Sequence, residues 1–160
     1  MTSHQVEVAA ESFVASLLSR AGYDVSVRYG ANQARYDLVA IKEPRILQVN
    51  VKGSTDGGWV LTASKKEGRT YHEAAEVWLE KHGPALVCAF VQFLGTSIRE
   101  TPRVYVARAS EVATYLKSLK KGHGDTRFDE KHTYQAGKAK GHTDQIPPAW
   151  LFSQERIDTV

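Results

Sequence analysis

The chain has 160 residues, of which 42% are hydrophobic and 24% charged, with one cysteine and a formal net charge of +3. This composition indicates a single soluble domain with a sizeable core, and the lone cysteine excludes an intramolecular disulfide. No apolar run is long enough to cross a membrane, and the N-terminus lacks the features of a signal peptide. We therefore expect a cytoplasmic protein with no membrane partner.

The first third of the chain predicts one helix followed by three strands. Residues 5–21 carry apolar side chains at three- and four-residue spacing, and Gly22 follows the last of them, which is typical of an amphipathic helix and its end. Alternating apolar residues predict strands over 23–29, 36–41 and 45–52. The short "KEP" between the last two strands indicates a hairpin connection.

The rest of the chain predicts a short strand over 59–63, a helix over 71–82, strands over 85–93 and 103–108, and a helix over 110–121. Residues 122–145 contain almost nothing apolar and predict a loop, after which Trp150 is expected to dock onto the body. This order predicts an α/β, three-layer sandwich with a mixed central sheet. Residues 1–121 would form its core, and 122–160 would be a basic loop segment and C-terminal docking stretch of the same domain.

The positive charge is concentrated near the end of the chain. Residues 117–142 contain seven basic and three acidic side chains, while the remainder of the chain is about neutral. A basic segment on a neutral body suits a polyanionic partner, although a solvated surface segment is the alternative. The candidate nucleic-acid-binding residues are Lys117, Lys120, Lys121, Arg127, Lys131, Lys138 and Lys140.

A polar group is expected where the second and third strands meet. Side chains alternate across a strand, so Asn50 and Lys52 share the polar face of the strand over 45–52. Asp37 stands alone in the apolar strand over 36–41, where its charge costs free energy unless a cation compensates it. If the two strands form an antiparallel hairpin, the Asp37 carboxylate, the Asn50 amide and the Lys52 ammonium group come together.

These residues resemble the motif of the PD-(D/E)XK phosphodiesterase superfamily, which has the restriction-endonuclease-like fold, and in particular that of small archaeal Holliday junction resolvases. The resemblance covers "ESFVASLLSRAGYDV", "YDLVAI" and "QVNVK". Glu11 matches the acid of the first helix, and Asp37 matches the metal-binding acid. Asn50-Val51-Lys52 stands in the place of (D/E)XK, with Asn instead of the second acid.

The resemblance implies a metal-dependent nuclease that cleaves phosphodiester bonds in nucleic acid, with DNA favoured over RNA and a homodimer as one expected form. The implied ligands of Mg²⁺ or Mn²⁺ are Asp37, the side-chain oxygen of Asn50 and the carbonyl of Val51. Glu11 would bind the metal through water or help to hold a second ion. Lys52 would orient the attacking water and stabilise charge on the phosphate.

Two alternatives stay open. Glu7 lies one helical turn before Glu11 on the same side of the predicted helix, so it is a second candidate for the helix acid. Asn50 carries no charge and cannot act as a general base. A catalytically inactive nuclease-fold protein, which binds nucleic acid or a protein partner without cleaving, is therefore the alternative function.

Overall fold

A computed structural model describes residues 1–27, 35–62 and 68–160. Its first elements are α1 (Ser3–Arg20), β1 (Asp24–Val27), β2 (Leu38–Lys42), β3 (Arg45–Ser54) and β4 (Gly58–Val60). They are followed by α2 (Tyr71–His82), β5 (Val87–Gln92), β6 (Arg103–Arg108) and α3 (Ala109–Gly122). Each matches a predicted element to within a few residues, while residues 28–29 and 63 of the predicted strands lie outside the described residues.

Helix α1 forms because its start is capped and one of its faces is apolar. The Thr2 side chain accepts a hydrogen bond from the backbone N–H of Gln5, and the Gln5 side chain accepts one from the backbone N–H of Thr2. This reciprocal capping box satisfies two backbone donors that a helix start leaves free. The buried face consists of Val6, Ala10, Val14 and Leu18, which recur at four-residue intervals along one stripe.

The main sheet has the strand order β1-β2-β3-β5-β6. Strands β1, β2 and β3 pair antiparallel, β3 and β5 pair parallel, and β5 and β6 pair antiparallel. The antiparallel pairs β1–β2, β2–β3 and β5–β6 are each consecutive in the chain, whereas the parallel β3–β5 pair contains the crossover through β4 and α2. The predicted α/β class with a mixed central sheet is confirmed.

Two apolar clusters lie on opposite faces of this sheet, which gives the predicted three layers. On one face α1 packs against the sheet, with Val14 and Leu18 in the same cluster as Val49 of β3. On the other face α2 and α3 cover β5 and β6, with Trp78 and Leu116 in one cluster. The first half of β3 and strands β1 and β2 keep residues such as Ile46 and Gln48 exposed on the face away from α1.

Strand β3 lies unusually close to α1 at Gly53. A Cβ atom placed on Gly53 would come within 2.6 Å of Val6 Cγ1 and 3.0 Å of the Val6 carbonyl oxygen. A side chain here would have to displace the helix backbone, so glycine sets the close approach of the helix to the strand. This contact holds the N-terminal turns of α1, which carry Glu7 and Glu11, near the end of β3.

The prediction of a loop over 122–145 is wrong. This segment contains β7 (Arg127–Asp129), β8 (Lys131–Thr133) and β9 (Thr143–Gln145), and a short 3-10 helix (Pro148–Trp150) and α4 (Gln154–Thr159) follow. Strand β7 pairs with β4, and β8 pairs with β9. The segment is ordered despite its polarity because Phe128 within it, and Ile146 and Trp150 just after it, are buried in the cluster beneath α3.

The end of the chain crosses the edge strand β6. Leu151 forms a bridge with Tyr105, and the backbone N–H of Phe152 donates to the Val104 carbonyl. Beyond this point Ile157 is buried in the opposite cluster, with α1. The C-terminal stretch therefore pairs with an otherwise unprotected sheet edge, which reduces the exposure of free backbone groups.

Candidate active site

The start of β2 and the second half of β3 bring the predicted polar residues together. The register pairs Leu38 with Val49, and the backbone N–H of Asp37 donates to the Val49 carbonyl at 2.8 Å. Asp37 therefore lies opposite Asn50, as the predicted hairpin requires. Lys52 follows two residues later on the same face of β3 as Asn50.

The Asp37 carboxylate is in direct contact with β3. Its Oδ2 atom accepts a hydrogen bond from Asn50 Nδ2 at 3.0 Å and another from the Val51 backbone N–H at 2.7 Å. The Asn50 amide therefore directs its N–H, and not its oxygen, at the carboxylate. This orientation compensates part of the Asp37 charge by hydrogen bonding. The isolated Asp37 in an apolar strand had predicted a cation in this role.

Lys52 is partly buried, and its ammonium group has no carboxylate partner in residues 1–27, 35–62 and 68–160. Among the described residues none forms an ion pair with it. Its backbone carbonyl accepts a hydrogen bond from the Trp59 indole at 3.0 Å. The indole thus fixes the end of β3 from the β4 side, while the lysine side chain stays available for an anionic ligand.

The acids of α1 and Asp37 affect one another electrostatically. Burial raises the pKa of Asp37, and the charge of Glu7 adds to this, while the Val51 N–H and the charge of Lys52 oppose it. Burial also raises the pKa of Glu11, followed by the charges of Asp37 and Glu7, with His4 acting in the opposite direction. Burial is thus the main cause of the raised pKa at both carboxyls, and the neighbouring acids Glu7 and Asp37 add to it.

An open groove lies beside these residues. It has a volume of about 450 Å³, and α1 contributes Glu7 to its wall while β3 contributes Val51 and Lys52. The loop before β4 forms the other wall, where the Asp56 carboxylate accepts hydrogen bonds from the Ser54 hydroxyl and the Gly58 N–H. The sequence "GSTDGG" does not predict that this loop faces the site, because nothing in it indicates which surface the loop lies on.

The two candidate helix acids occupy different positions. Glu7 is exposed, lines the groove and lies 3.9 Å from His4. Glu11 is one turn further along α1 and half-buried, and Asp37 is the nearby charge that contributes most to its pKa. Both carboxylates thus interact with Asp37 electrostatically, and Glu7 also forms part of the groove wall.

The donor set suits a hard divalent cation. Asp37 and Glu11 offer carboxylate oxygens, and the Asn50 amide can offer its oxygen if it rotates away from its present hydrogen bond. Oxygen ligands of this kind are those that Mg²⁺ and Mn²⁺ prefer. Within the described ranges, however, no three side chains of His, Cys, Asp or Glu are grouped so that they could hold a metal.

The predicted nucleic-acid-binding residues fall into two groups. Three of them are engaged in ion pairs: Lys117 with Glu76 and Lys120 with Asp125, both at 2.6 Å, and Arg127 with Asp129 at 2.9 Å. The other four, Lys121, Lys131, Lys138 and Lys140, are exposed and have no ion-pair partner in the described part of the chain. The second group therefore carries the charge that is available to a polyanion.

Of the comparisons with known proteins, the one with solved structures gives matches. No protein-family model and no curated protein sequence matches the chain. Among solved structures, the chain is similar to Hjc, a Holliday junction resolvase from the archaeal hyperthermophile Archaeoglobus fulgidus. The identity is 17%, the match covers 77% of this chain and 88% of that chain, and the TM-score is 0.42.

No helix in residues 1–27, 35–62 and 68–160 is both long and apolar enough to span a membrane.

Proposed function

We propose that this protein is a metal-dependent phosphodiesterase of the PD-(D/E)XK type that acts on nucleic acid in the cytoplasm, with DNA favoured over RNA. The observation that carries the proposal is the interaction of Asp37 with Glu11, whose pKa values are both raised, beside Lys52, which has no ion-pair partner among the described residues. Two partly buried carboxyls with raised pKa values beside such an ammonium group fit a site for a cation and a phosphate.

A bound Mg²⁺ or Mn²⁺ would polarise a phosphate oxygen and lower the pKa of a water ligand. Asp37 and Glu11 would hold the ion through carboxylate oxygens, with the Asn50 side-chain oxygen and the Val51 carbonyl as further ligands. The role of Lys52 is to place a positive charge next to the phosphate, where negative charge increases during cleavage. The groove lined by Glu7 and Lys52 would receive the nucleic-acid backbone.

A second candidate function is binding of nucleic acid without cleavage. The hydrogen bond from Asn50 to Asp37 favours it, because the amide compensates the carboxylate without a cation. Asn50 also cannot accept a proton. Under this alternative the free lysines at the end of the chain would still bind a polyanion, but the groove would contain no metal-dependent activity.

Cleavage assays separate the two functions. We expect Mg²⁺- or Mn²⁺-dependent cleavage of at least one substrate among linear duplex, single-stranded and four-way-junction DNA and single-stranded RNA. Lys52→Met should lower the rate by at least about a hundredfold, because it removes preorganised positive charge from the phosphate site. Lys81→Met, which removes an exposed lysine on α2, is the matched control and should leave the rate unchanged.

Absence of metal-dependent cleavage on the whole panel, or equal rates for Lys52→Met and the wild type, would reject the phosphodiesterase. Retention of salt-dependent binding to the same substrates would then support the non-cleaving alternative. A cleavage activity that persists in Asp37→Ala would indicate a contaminating nuclease.

The exposed lysines are expected to account for most of the electrostatic binding. Replacing Lys131, Lys138 and Lys140 together by Gln should weaken DNA binding and reduce the slope of log K against log salt by about 3, since each phosphate contact contributes about 0.9. Fluorescence anisotropy at several salt concentrations measures this slope. Lys117→Gln, whose lysine is paired with Glu76, should leave the slope nearly unchanged, well below the change of about 0.9 expected for one phosphate contact; equal effects per lysine would contradict the division into two groups.

A further inference from the structure

We propose that a second cavity, formed by residues 119–144, binds one unstacked nucleotide, with an aromatic wall for the base and a lysine for the phosphate. The cavity has a volume of about 780 Å³, which lies in the range of small-molecule sites, about 300–1,000 Å³. It shares no described lining residue with the groove at Lys52. The inference therefore goes beyond the proposed function, and it stands whether or not the groove cleaves nucleic acid.

The lining of the second cavity is apolar at depth and aromatic nearer the surface. Leu119 and Phe128 line its deepest part, since they are only 1% and 2% exposed. The rings of His132, which is exposed, and Tyr134, which is half-buried, also line it and meet edge-on with their centres 4.6 Å apart. A nucleobase is a flat ring that stacks on aromatic side chains and covers apolar surface, so this lining suits the base of a nucleotide.

The wall at Lys120 is fixed in a strained backbone conformation. Lys120 and Lys121 have φ angles of 54° and 59°, in the left-handed region that residues other than glycine rarely adopt. The Lys120 N–H and the Tyr134 hydroxyl both donate to Asp144 Oδ2, and the Lys120 ammonium group pairs with Asp125 at 2.6 Å. Strain of this kind persists where the surrounding contacts fix the backbone, and it is frequent at binding sites. The Tyr134 ring is thus held in place before a ligand binds, which lowers the entropy lost on binding.

The charges that line the second cavity leave one lysine for a phosphate. Each of the three aspartates in its lining contacts a basic side chain: Asp125 with Lys120, Asp129 with Arg127, and Asp144 with His142. Lys138 also lines the cavity, is exposed and has no ion-pair partner across the described segments of the chain. The Lys138 ammonium group is therefore available to a phosphate, while the paired carboxylates keep lone pairs that can accept from the N–H groups of a base.

The second cavity lies next to the groove. Strand β7, whose Arg127 lines the cavity, pairs with β4, whose Gly58 lines the groove. Across this pair the Arg127 guanidinium group lies 3.6 Å from the Asp56 carboxylate at the groove wall. The exposed Lys131 and Lys140 are sequence neighbours of lining residues, so a nucleic-acid strand bound to them passes close to the cavity.

Backbone amide chemical shifts of the isotope-labelled wild-type protein test the inference by nuclear magnetic resonance. The probes are adenosine monophosphate (AMP), ribose phosphate, which lacks the base, and a short single strand of oligo(dA), all without divalent cations. We expect AMP or the strand to shift the amides of Phe128 and Tyr134, and ribose phosphate at equal concentration to shift them much less. The inference fails if neither AMP nor the strand shifts these amides, or if ribose phosphate shifts them as much as AMP does, because the base would then contribute nothing.

The same probes identify the source of the nucleotide. Tighter binding of the strand than of AMP at these amides assigns the cavity to an unpaired nucleotide of nucleic acid, and tighter binding of AMP assigns it to a free nucleotide. The bases of an intact duplex are stacked and paired, so a duplex of the same length should shift the Phe128 amide less than the strand does. Equal shifts of this amide by strand and duplex would overturn the requirement for an unstacked base.

Lys138→Gln and Lys140→Gln are a matched pair that tests the phosphate contact. Both lysines are exposed and lie in the same segment, but of the two only Lys138 lines the cavity. Loss of one solvated ion pair weakens binding by about three- to fivefold. We expect this loss of AMP affinity in Lys138→Gln and no change in Lys140→Gln; equal AMP affinity of the two variants would overturn the role of Lys138.

Tyr134→Leu tests the aromatic wall. Loss of a stacked aromatic side chain should weaken AMP binding at least about fivefold and leave ribose phosphate unaffected, whereas unchanged AMP affinity would overturn the role of the ring. Thermal unfolding checks the fold of this variant, and if it does not fold, the wild-type shifts and the lysine pair decide. Because none of these measurements involves cleavage, nucleotide binding without metal-dependent cleavage would retain this inference and reject the phosphodiesterase, and cleavage without nucleotide binding in the cavity would do the reverse.

Discussion

Asp37→Asn is expected to raise the thermal stability of the protein at neutral pH while it removes cation-dependent cleavage. Burial raises the pKa of Asp37, and Glu7 adds to the effect, so the ionised carboxylate is less favourable in the folded state than in the unfolded state. A neutral amide of the same shape removes this cost and still accepts hydrogen bonds. The cleavage rate should fall at least about a hundredfold, since a cation ligand is lost.

The pH dependence of the stability gain from Asp37→Asn follows from the raised pKa of the Asp37 carboxyl. The folded-state pKa lies above the unfolded value of about 3.9, so the folded state binds the proton more tightly. The stability contributed by this group therefore falls as the pH rises between the two pKa values. The gain from Asp37→Asn should be absent in acid below the unfolded pKa, where both states are protonated, and complete above the folded pKa.

Thermal unfolding at about pH 3 and about pH 8 measures this gain. Because Asp37 is only half-buried and solvent screens its charge, we expect a rise in Tm of roughly 2 °C at the higher pH. Asp24→Asn removes a carboxylate at an exposed position of β1 and is the matched control, with no expected change in Tm. A lower Tm for Asp37→Asn at the higher pH would mean that the ionised carboxylate stabilises the fold.

Trp150→Ala is expected to destabilise the protein by about 3–5 kcal/mol, which is a large part of the stability of a typical domain. Trp150 is 4% exposed. Its indole is nearly parallel to the Phe90 ring at 6.4 Å and meets the Tyr115 ring edge-on at 5.4 Å. Removing it leaves a cavity between α3 and the sheet and detaches the C-terminal stretch from the edge strand β6.

Urea denaturation followed by circular dichroism measures the loss, and Leu151→Ala is the matched control. Leu151 is the next residue, but its side chain is 51% exposed, so its truncation should cost less than about 0.5 kcal/mol. A small effect of Trp150→Ala would show that the segment beyond α3 is held by its hydrogen bonds and ion pairs instead of by this aromatic anchor.

The sequence predicted the core elements because their hydrophobic periods are long and regular. Helix α1 repeats its apolar residues every four positions over four turns, and β5 is a continuous apolar run that is buried throughout. The contact between Asp37 and Asn50 also follows from the sequence, since an antiparallel hairpin with a short connection permits few registers. Trp150 was correctly expected to anchor the C-terminus, because a large aromatic side chain after a polar segment gains most from burial.

The segment over 122–145 could not be predicted in the same way. Strands β7, β8 and β9 have three residues each, which is too short for an alternating pattern to be recognised. Strand β7 depends on β4, a partner distant in sequence, and Glu130, which lies between β7 and β8, forms a bidentate ion pair with the distant Arg103. Some of the basic residues are held in ion pairs with acidic side chains, and others are exposed to solvent. Counting charges along the chain cannot predict which residues belong to which group.

At the candidate site, the sequence by itself determined which residues meet, because strand alternation and the hairpin register depend only on local order. The tertiary structure alone decided how they meet. The Asn50 amide directs its N–H at Asp37 because the half-buried carboxylate requires donors. Lys52 has no ion-pair partner among the described residues, although Glu7 lines the same groove. Burial and the approach of α1 at Gly53 set these contacts, and both arise only when distant segments pack together.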